Sequence, residues 1–256
     1  MALIEFRGVQ KAFGPKVVYR HLDLDVNESE VLTIIGGSGQ GKSVMLKMLV
    51  GLLRVDGGTI TYDGKVISTG DEEAFRGVRR EIAMLFQGAA LFDSLTVGEN
   101  VGYGLDEQRA PAELVRERVA ESLAYVGMEG REDQWPAELS SGMKKRVGLA
   151  RAIAVRPKVL LYDEPTTGLD PVNVQRIIEL ILHLQHNLDV TSIVVTHDMH
   201  SALMISDRIA MIHEGHVIFS GTPRELMSSD DQHVRDFVEG NAPDLEDTEA
   251  VLRSAG

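Results

Sequence analysis

The chain contains no cysteine and comparatively few positive charges, and both shortages restrict its chemistry. None of its 256 residues is a cysteine, which excludes disulfides, thiolate zinc sites and a catalytic thiol. Lys and Arg number 26 against 39 Asp and Glu, for a net charge of −13. Because nucleic-acid binders concentrate positive charge, we expect no nucleic-acid partner, although a nucleotide, which needs only local donors, is not excluded.

Long apolar runs are also missing. No stretch approaches the roughly 18 residues that a membrane-spanning helix needs, and Met1–Gly14 lacks the basic and apolar regions of a signal peptide. We therefore expect a chain without a membrane span, which could serve a membrane only from its side. Hydrophobic residues make up 43% and charged residues 25%, which is typical of a globular protein.

Alternating strand and helix patterns predict an α/β fold. Compact apolar runs typical of buried strands occur at Val31–Ile35, Val159–Tyr162 and Val190–Thr196, and Ile82–Phe86 predicts another strand. Residues 2–26 predict short strands, and residues 59–67 predict a hairpin. Helices are expected over 43–53, after Pro111, after Ser140 and after Asp170. The last of these has a predicted inner face of Val174, Ile177, Ile178, Ile181 and Leu182.

The acidic residues are concentrated near the end of the chain. Between Asp230 and Glu249 there are eight acidic residues and one Arg. This composition predicts an exposed extension, with a short helix near His233–Val238.

A glycine-rich segment between a predicted strand and a predicted helix indicates phosphate binding. The segment, here called the phosphate loop, matches G-x-x-x-x-G-K-[ST] and consists of Gly36, Gly37, Ser38, Gly39, Gln40, Gly41, Lys42 and Ser43. Glycines let successive backbone N–H groups face one concavity, and the helix N-terminus adds positive potential. We expect Lys42 to reach the β- and γ-phosphates of a nucleotide and the Ser43 hydroxyl to bind Mg²⁺.

Two adjacent carboxylates end one of the buried strands. Asp163 and Glu164 follow the apolar run that begins at Val159. Because a buried strand rarely ends in paired acids without a partner, Mg²⁺ with a nucleotide is the expected partner of Asp163. Strand alternation predicts that Glu164 points elsewhere and polarises an attacking water as a general base.

Between these motifs, Leu139–Met143 resembles the signature sequence of ABC ATPases, and we call it the signature segment. Six motifs in the family's order extend the resemblance over residues 4–225. It implies a P-loop NTPase with a RecA-like core, an antiparallel β-subdomain and an inserted helical subdomain at about residues 90–155. The implied ATPase domain covers residues 1–225, and residues 226–256 form the acidic C-terminal extension.

The resemblance also implies roles for single residues. Phe13 matches the aromatic that stacks on adenine, and Gln87 matches the glutamine that contacts Mg²⁺ and water and links to the membrane subunit. Asp170 matches the D-loop aspartate and can also cap the helix that follows it. His197 resembles the histidine that contacts the γ-phosphate.

The signature segment implies a dimer. Family members bind ATP between two copies, so Ser140 and backbone N–H groups near Gly142 would face the nucleotide of a second copy. Ser141 departs from the pattern, which has glycine there, and we expect hydrolysis to be retained but slow.

Met143 occupies a position where the pattern usually has Gln, and a Met there is similar to the Mla/Mce-associated phospholipid-transport ATPases. The segment Leu85–Val101 and the stretches 219–226 and 234–240 also resemble the matching segments of those ATPases. This resemblance implies an integral membrane permease, a small regulatory subunit and an Mce-type substrate-binding protein as partners, at the cytoplasmic face of the inner membrane. The alternatives are the ATPase of a small-solute importer, the ATPase of a lipoprotein-release system, and a non-transport ABC ATPase. Non-transport ABC ATPases normally have coiled-coil arms or two ATPase domains, and this sequence shows neither. A non-hydrolysing scaffold is disfavoured because Glu164 and His197 are present.

Overall fold

The computed structural model describes residues 2–69 and 72–240, and the strands within them form two sheets. In chain order the strands are β1 Ala2–Phe13, β2 Lys16–Asn27, β3 Val31–Ile35, β4 Gly57–Tyr62, β5 Lys65–Val66, β6 Ile82–Leu85, β7 Val159–Asp163, β8 Thr191–Val195, β9 Arg208–His213 and β10 His216–Gly221. The helices are α1 Lys42–Leu49, α2 Glu72–Glu81, α3 Val97–Glu107, α4 Ala112–Tyr125, α5 Ser141–Ala154, α6 Pro171–Leu188, α7 Met199–Ile205, α8 Pro223–Met227 and α9 Gln232–Glu239. No helix among these described residues is long and apolar enough to span a bilayer.

The larger sheet has six strands in the order β10-β9-β3-β8-β7-β6. Neighbouring strands from β9 to β6 are parallel, and β10 pairs antiparallel with β9 at the edge. Every residue of β3, β7 and β8 is buried, as expected for parallel strands covered on both faces. The buried parallel strands predicted from apolar runs are therefore confirmed, to within about one residue at their ends.

The smaller sheet has four antiparallel strands in the order β2-β1-β4-β5. β1 and β2 have twelve residues each, so the short strands predicted for residues 2–26 are wrong in length. Register shifts between the two strands interrupt the period-two alternation that would have revealed their extent. The inner face of this sheet, including Phe6 and Leu22, packs with Leu46 and Leu161 in one hydrophobic cluster.

Helices α3, α4 and α5 contact one another in the section of chain predicted as a helical subdomain. Their buried side chains, including Val101, Leu123 and Val147, join a cluster that continues into the larger sheet. Thr96 and Glu99 form a capping box at the start of α3. Gly127, at φ 64°, follows the end of α4.

Two helix predictions need correction. Helix α1 ends at Leu49 instead of continuing to residue 53, because Gly51 takes φ 71° with the Phe75 ring 2.4 Å from where a Cβ would lie. In α6, Leu182 is 36% exposed, whereas Leu184 is fully buried. Leu184 lies three residues beyond Ile181 and is therefore on the same buried face of α6, whereas Leu182 lies outside that face.

The acidic segment is folded as far as residue 240. The predicted helix is present as α9, and Val234 on it is fully buried with Ile209 and Met211 of β9. Most residues of this part are exposed, as predicted, but the apolar side of α9 packs beside β9, so the segment is not exposed on every side. The rest of the extension, residues 241–256, lies outside the described residues.

Candidate functional site

The parallel strands bring separate motifs to one edge of the sheet. The pairs Ile34 with Val195, Asp163 with Val195 and Leu85 with Tyr162 show that β3, β6, β7 and β8 end level with one another. In open α/β sheets, ligands bind at the carboxyl ends of such strands. A cleft of about 850 Å³ lies there and is lined by the phosphate loop together with Phe13, Gln87, Glu164 and His197.

The phosphate loop is pressed closely against β2 and β9. Gly41 takes φ 92°, and a Cβ there would lie 2.3 Å from Val18 Cγ1. A Cβ on Gly36 would lie 2.4 Å from the Ile212 carbonyl oxygen. The buried Tyr19 hydroxyl donates to the Gly41 carbonyl over 2.8 Å. Glycine is therefore required here by close packing as well as by backbone angle.

Lys42 places a buried cation against the loop. Lys42 is only 7% exposed, and its Nζ donates to the carbonyls of Gly36 over 2.7 Å and Gly37 over 3.0 Å. Burial lowers the pKa of Lys42, while the charges of Glu164 and Asp163 act in the opposite direction. An anionic phosphate in the cleft would add a further favourable partner for this ammonium.

Oxygen donors suited to Mg²⁺ lie beside Lys42. The Ser43 hydroxyl donates to Asp163 Oδ1 over 2.5 Å, and Gln87 lines the same cleft. Mg²⁺ prefers oxygen ligands and usually combines one or two carboxylates with phosphates and water. Within residues 2–69 and 72–240 no three His, Cys, Asp or Glu side chains cluster as a metal site. The donor set therefore fits a Mg²⁺ ion that takes its other ligands from a nucleotide and solvent.

Glu164 is aimed by its backbone and not by strand alternation, which corrects the prediction. β7 ends at Asp163, and Glu164 takes φ 51°, in the left-handed region. Its carboxylate Oε2 accepts from Thr167 Oγ1 over 2.9 Å and lies 2.8 Å from His197 Nδ1. With a side chain only 12% exposed beside an exposed imidazole, this carboxylate is held at the cleft, where a carboxylate could accept a proton.

Ser140, Gly142 and Asp170 are not among the residues that line the cleft. Ser140 caps α5, where its hydroxyl accepts from the Met143 N–H over 3.3 Å. Asp170 caps α6, as predicted, and accepts from the Val172 and Asn173 N–H groups over 3.1 Å each. Hydrogen bonds from Asn173 lower the pKa of Asp170. A single chain thus leaves the signature segment away from its own phosphate loop.

Sequence reasoning missed several residues of the cleft. Lys16, Asp236, Phe237 and Gly240 also line it, and three of them belong to α9 or its C-terminal cap. The stacked rings of His213 and His233, with centroids 4.5 Å apart, join α9 to the end of β9. Only the apolar spacing within α9 could have signalled this docking, and that spacing does not say which surface the helix covers.

Phe13 provides a test of nucleotide recognition at the cleft. The ring is 45% exposed at the end of β1, with Lys11 Nζ 5.2 Å from its centroid. The resemblance implies that this ring stacks on adenine, and stacking on a base is worth about 1–3 kcal/mol. On that expectation, Phe13→Ala should raise the KM for ATP about 5–150-fold and leave kcat nearly unchanged. Phe13→Trp should retain the wild-type KM. Steady-state phosphate release measures both constants, with the exposed neighbour Val17→Ala as the control.

The fold and the cleft define an α/β P-loop nucleotide hydrolase, with a glycine-rich loop, a buried lysine and a strand-end carboxylate pair. The chain belongs to the ABC transporter ATPase family: the family model described as "ABC transporter" matches residues 19–167. It binds ATP, and its reaction is ATP hydrolysis.

Three relatives illustrate the family. The "Probable ribonucleotide transport ATP-binding protein mkl" of Mycobacterium leprae is 38% identical over 93% of this chain and 69% of its own length. The "Intermembrane phospholipid transport system ATP-binding protein MlaF" of Haemophilus influenzae is 38% identical over 94% of this chain and 91% of its own length. The "ATP-binding cassette MJ0796", solved as a dimer with ADP and Pi, is 30% identical with a TM-score of 0.79, covering 86% of this chain and 99% of that one.

Proposed function

We propose that the chain is the ATPase of a transporter of the Mla/Mce type, which moves phospholipid between membranes through a separate integral membrane permease. The observation that carries this proposal is the length of the match to the phospholipid-transport relative, which spans 94% of this chain and 91% of that protein. The mkl relative has the same identity but extends well beyond the match, since only 69% of it is covered. Met143 in the signature segment adds independent support, because a Met at this position resembles the phospholipid-transport ATPases.

The side chains predicted for the cleft each have a proposed task. Phe13 stacks on adenine, the phosphate loop binds the phosphates through its N–H groups, and Lys42 contacts the β- and γ-phosphates. Glu164 accepts a proton from the attacking water, and His197, held at the Glu164 carboxylate, contacts the γ-phosphate.

Mg²⁺ is the proposed cofactor of the same cleft. Ser43, Asp163 and Gln87 would hold it, because the Ser43 hydroxyl is hydrogen-bonded to the Asp163 carboxylate and Gln87 lines the same cleft. When bound, the ion neutralises charge on the phosphate oxygens.

Two copies of the chain would complete each site. Ser140 and the exposed Ser141 lie at the N-terminus of α5, away from the cleft of their own chain, where they are free to meet the nucleotide of a second copy. Gly142 would contribute its backbone N–H there, and Asp170 would lie at the interface between the copies. The dimeric MJ0796 relative supports this arrangement.

The partners of the assembly follow from the phospholipid proposal. They are the permease, an Mce-type substrate-binding protein and a small regulatory subunit, with the ATPase pair at the cytoplasmic face of the inner membrane. Transport of a small solute, such as import by a small-solute importer, is a second candidate, and the similarity to the probable ribonucleotide transport ATP-binding protein mkl supports a small-solute substrate.

Co-purification tests the transport proposal. The tagged chain is recovered from detergent-solubilised native membranes, and the proteins and lipids that accompany it are identified by mass spectrometry. We expect a multi-span permease, a single-span Mce-type protein and bound phospholipid. A different permease with a soluble binding protein would contradict the phospholipid proposal and support the importer, whereas recovery without any membrane protein would contradict both.

A further inference from the structure

Lys145 is a buried lysine whose hydrogen bonds all go to backbone carbonyls of a single turn. It lies in the second turn of α5 and is 5% exposed. Nζ donates to the carbonyls of Glu164 over 3.1 Å, Pro165 over 2.8 Å and Thr167 over 2.8 Å. An ammonium has three N–H donors, so these three acceptors use all of them.

The turn that Lys145 binds is the one that carries the candidate base. Glu164 takes φ 51°, which is sterically unfavourable for a residue with a side chain. Thr167 closes the turn from within, because its N–H donates to the Glu164 carbonyl over 3.3 Å and its hydroxyl to the Glu164 carboxylate over 2.9 Å. Lys145 binds the same turn from outside and so stabilises the backbone from which the carboxylate projects.

We propose that Lys145 is a positioning residue for Glu164, which fixes the turn at residues 164–167 and joins it to the helix that begins at the signature segment. Because Lys145 lies about one turn beyond Ser140, a displacement at the start of α5 is transmitted directly to the carboxylate. The two ends of this link belong to different nucleotide sites in the proposed dimer: Ser140 faces the partner's nucleotide, and Glu164 faces its own. The inference rests on the proposed role of Glu164 as general base.

The charge state of Lys145 follows from its surroundings. Burial lowers its pKa to about 8, and the negative charge of Glu164 opposes this shift. Glu164 is the charged group that faces it from the turn, and Lys144 and Arg146 are its neighbours on α5. A neutral amine has only two N–H donors, so loss of the proton above about pH 8 leaves one carbonyl of the turn without its donor. Positioning by Lys145 should therefore weaken as the pH rises through this value.

The experiment compares Lys145→Met, which removes the donors, with Lys145→Gln, which keeps an amide with two. Lys65→Met, on the exposed edge strand β5, is the matched control. Steady-state phosphate release gives kcat and KM, and equilibrium titration gives the ATP affinity. We expect Lys145→Met to lower kcat at least about tenfold while KM and affinity change less than about twofold, because a misplaced base slows turnover without touching the phosphate loop. Lys145→Gln should recover part of kcat.

A pH profile distinguishes positioning from a merely structural role. We expect the kcat of the wild-type chain to fall between about pH 7.5 and 9, and this fall to be absent in Lys145→Met. A wild-type kcat in Lys145→Met, or a joint loss of kcat and ATP affinity in both variants, would overturn the proposal. If Lys145→Met does not fold, Lys145→Gln is judged by the same criteria. Glu164→Gln is measured alongside: wild-type turnover in that variant refutes the base assignment, independently of what the Lys145 variants show.

Discussion

In Glu164→Gln we expect ATP turnover to fall by about 10²–10⁴-fold, the usual contribution of a general base. The amide has the shape of the carboxylate but cannot accept a proton from water. Its oxygen can still accept from Thr167, so the turn at residues 164–167 should persist. Since Lys42 and the phosphate loop are unchanged, ATP should remain bound. Phosphate release under saturating ATP measures the effect.

The same variant tests the pairing of two copies. With ATP bound but not hydrolysed, we expect Glu164→Gln to accumulate as a dimer in light scattering, and to return to a monomer when ATP is removed. Glu28→Gln, an exposed acid away from the cleft, is the control and should behave as wild type. A variant saturated with ATP that stays monomeric at high concentration would contradict the two-copy site.

In Lys42→Ala we expect ATP binding to weaken at least about 100-fold, equivalent to about 2.7 kcal/mol. The lost ammonium is buried, and contacts from a desolvated cation to phosphate oxygens are among the stronger hydrogen bonds of a protein. The carbonyls of Gly36 and Gly37, which now accept from Nζ, would also lose their donor. Equilibrium titration with a fluorescent ATP analogue measures the affinity.

Lys47→Ala is the matched control for this experiment. Lys47 lies on the same helix, α1, but is not among the residues that line the cleft. The two variants therefore remove the same side chain from the same helix, but only Lys42 contacts the phosphate loop. Equal affinity in Lys42→Ala and Lys47→Ala would mean that the phosphate loop binds ATP without the lysine, against the proposed role.

Much of the cleft was predictable because its motifs are contiguous and each lies directly after a buried strand. The runs ending at Ile35, Leu85, Asp163 and Val195 are mostly apolar and short, so their ends could be located from the sequence to within about one residue. Parallel strands that end level place whatever follows them at one edge. This is why Gln87, Glu164 and His197, which are far apart in the chain, were expected in one site and do line one cleft. Their individual roles remain proposals.

The direction of Glu164 and the partners of Lys145 were not predictable. A strand pattern says that successive side chains alternate, but it does not reveal that Glu164, just beyond the end of the strand, takes φ 51°. Lys145 lies in a run of basic residues that looks like a solvated helix face. Its burial follows from the packing of α5 against the turn at residues 164–167, which is remote in sequence.

The end of the chain shows the same limit. Its composition is acidic, and composition alone indicates an exposed segment. The buried Val234 and the ring contact between His213 and His233 show that α9 instead docks beside the cleft, where Phe237 becomes part of the lining. Docking depends on the complementary surface that β9 presents, and no local pattern in residues 232–239 describes that surface.

The sequence by itself indicated the buried parallel strands, several of the helices, the glycines of the phosphate loop and the identity of the acids, because these depend on local periodicity and on residues adjacent in the chain. Only the tertiary structure decided how the candidate base is aimed, which lysine holds its turn and which helix closes the side of the cleft. Each of these depends on contacts between segments distant in sequence, such as Lys145 with Glu164 and His213 with His233. Such contacts form when the sheet and its helices are assembled, so no single segment of the chain encodes them.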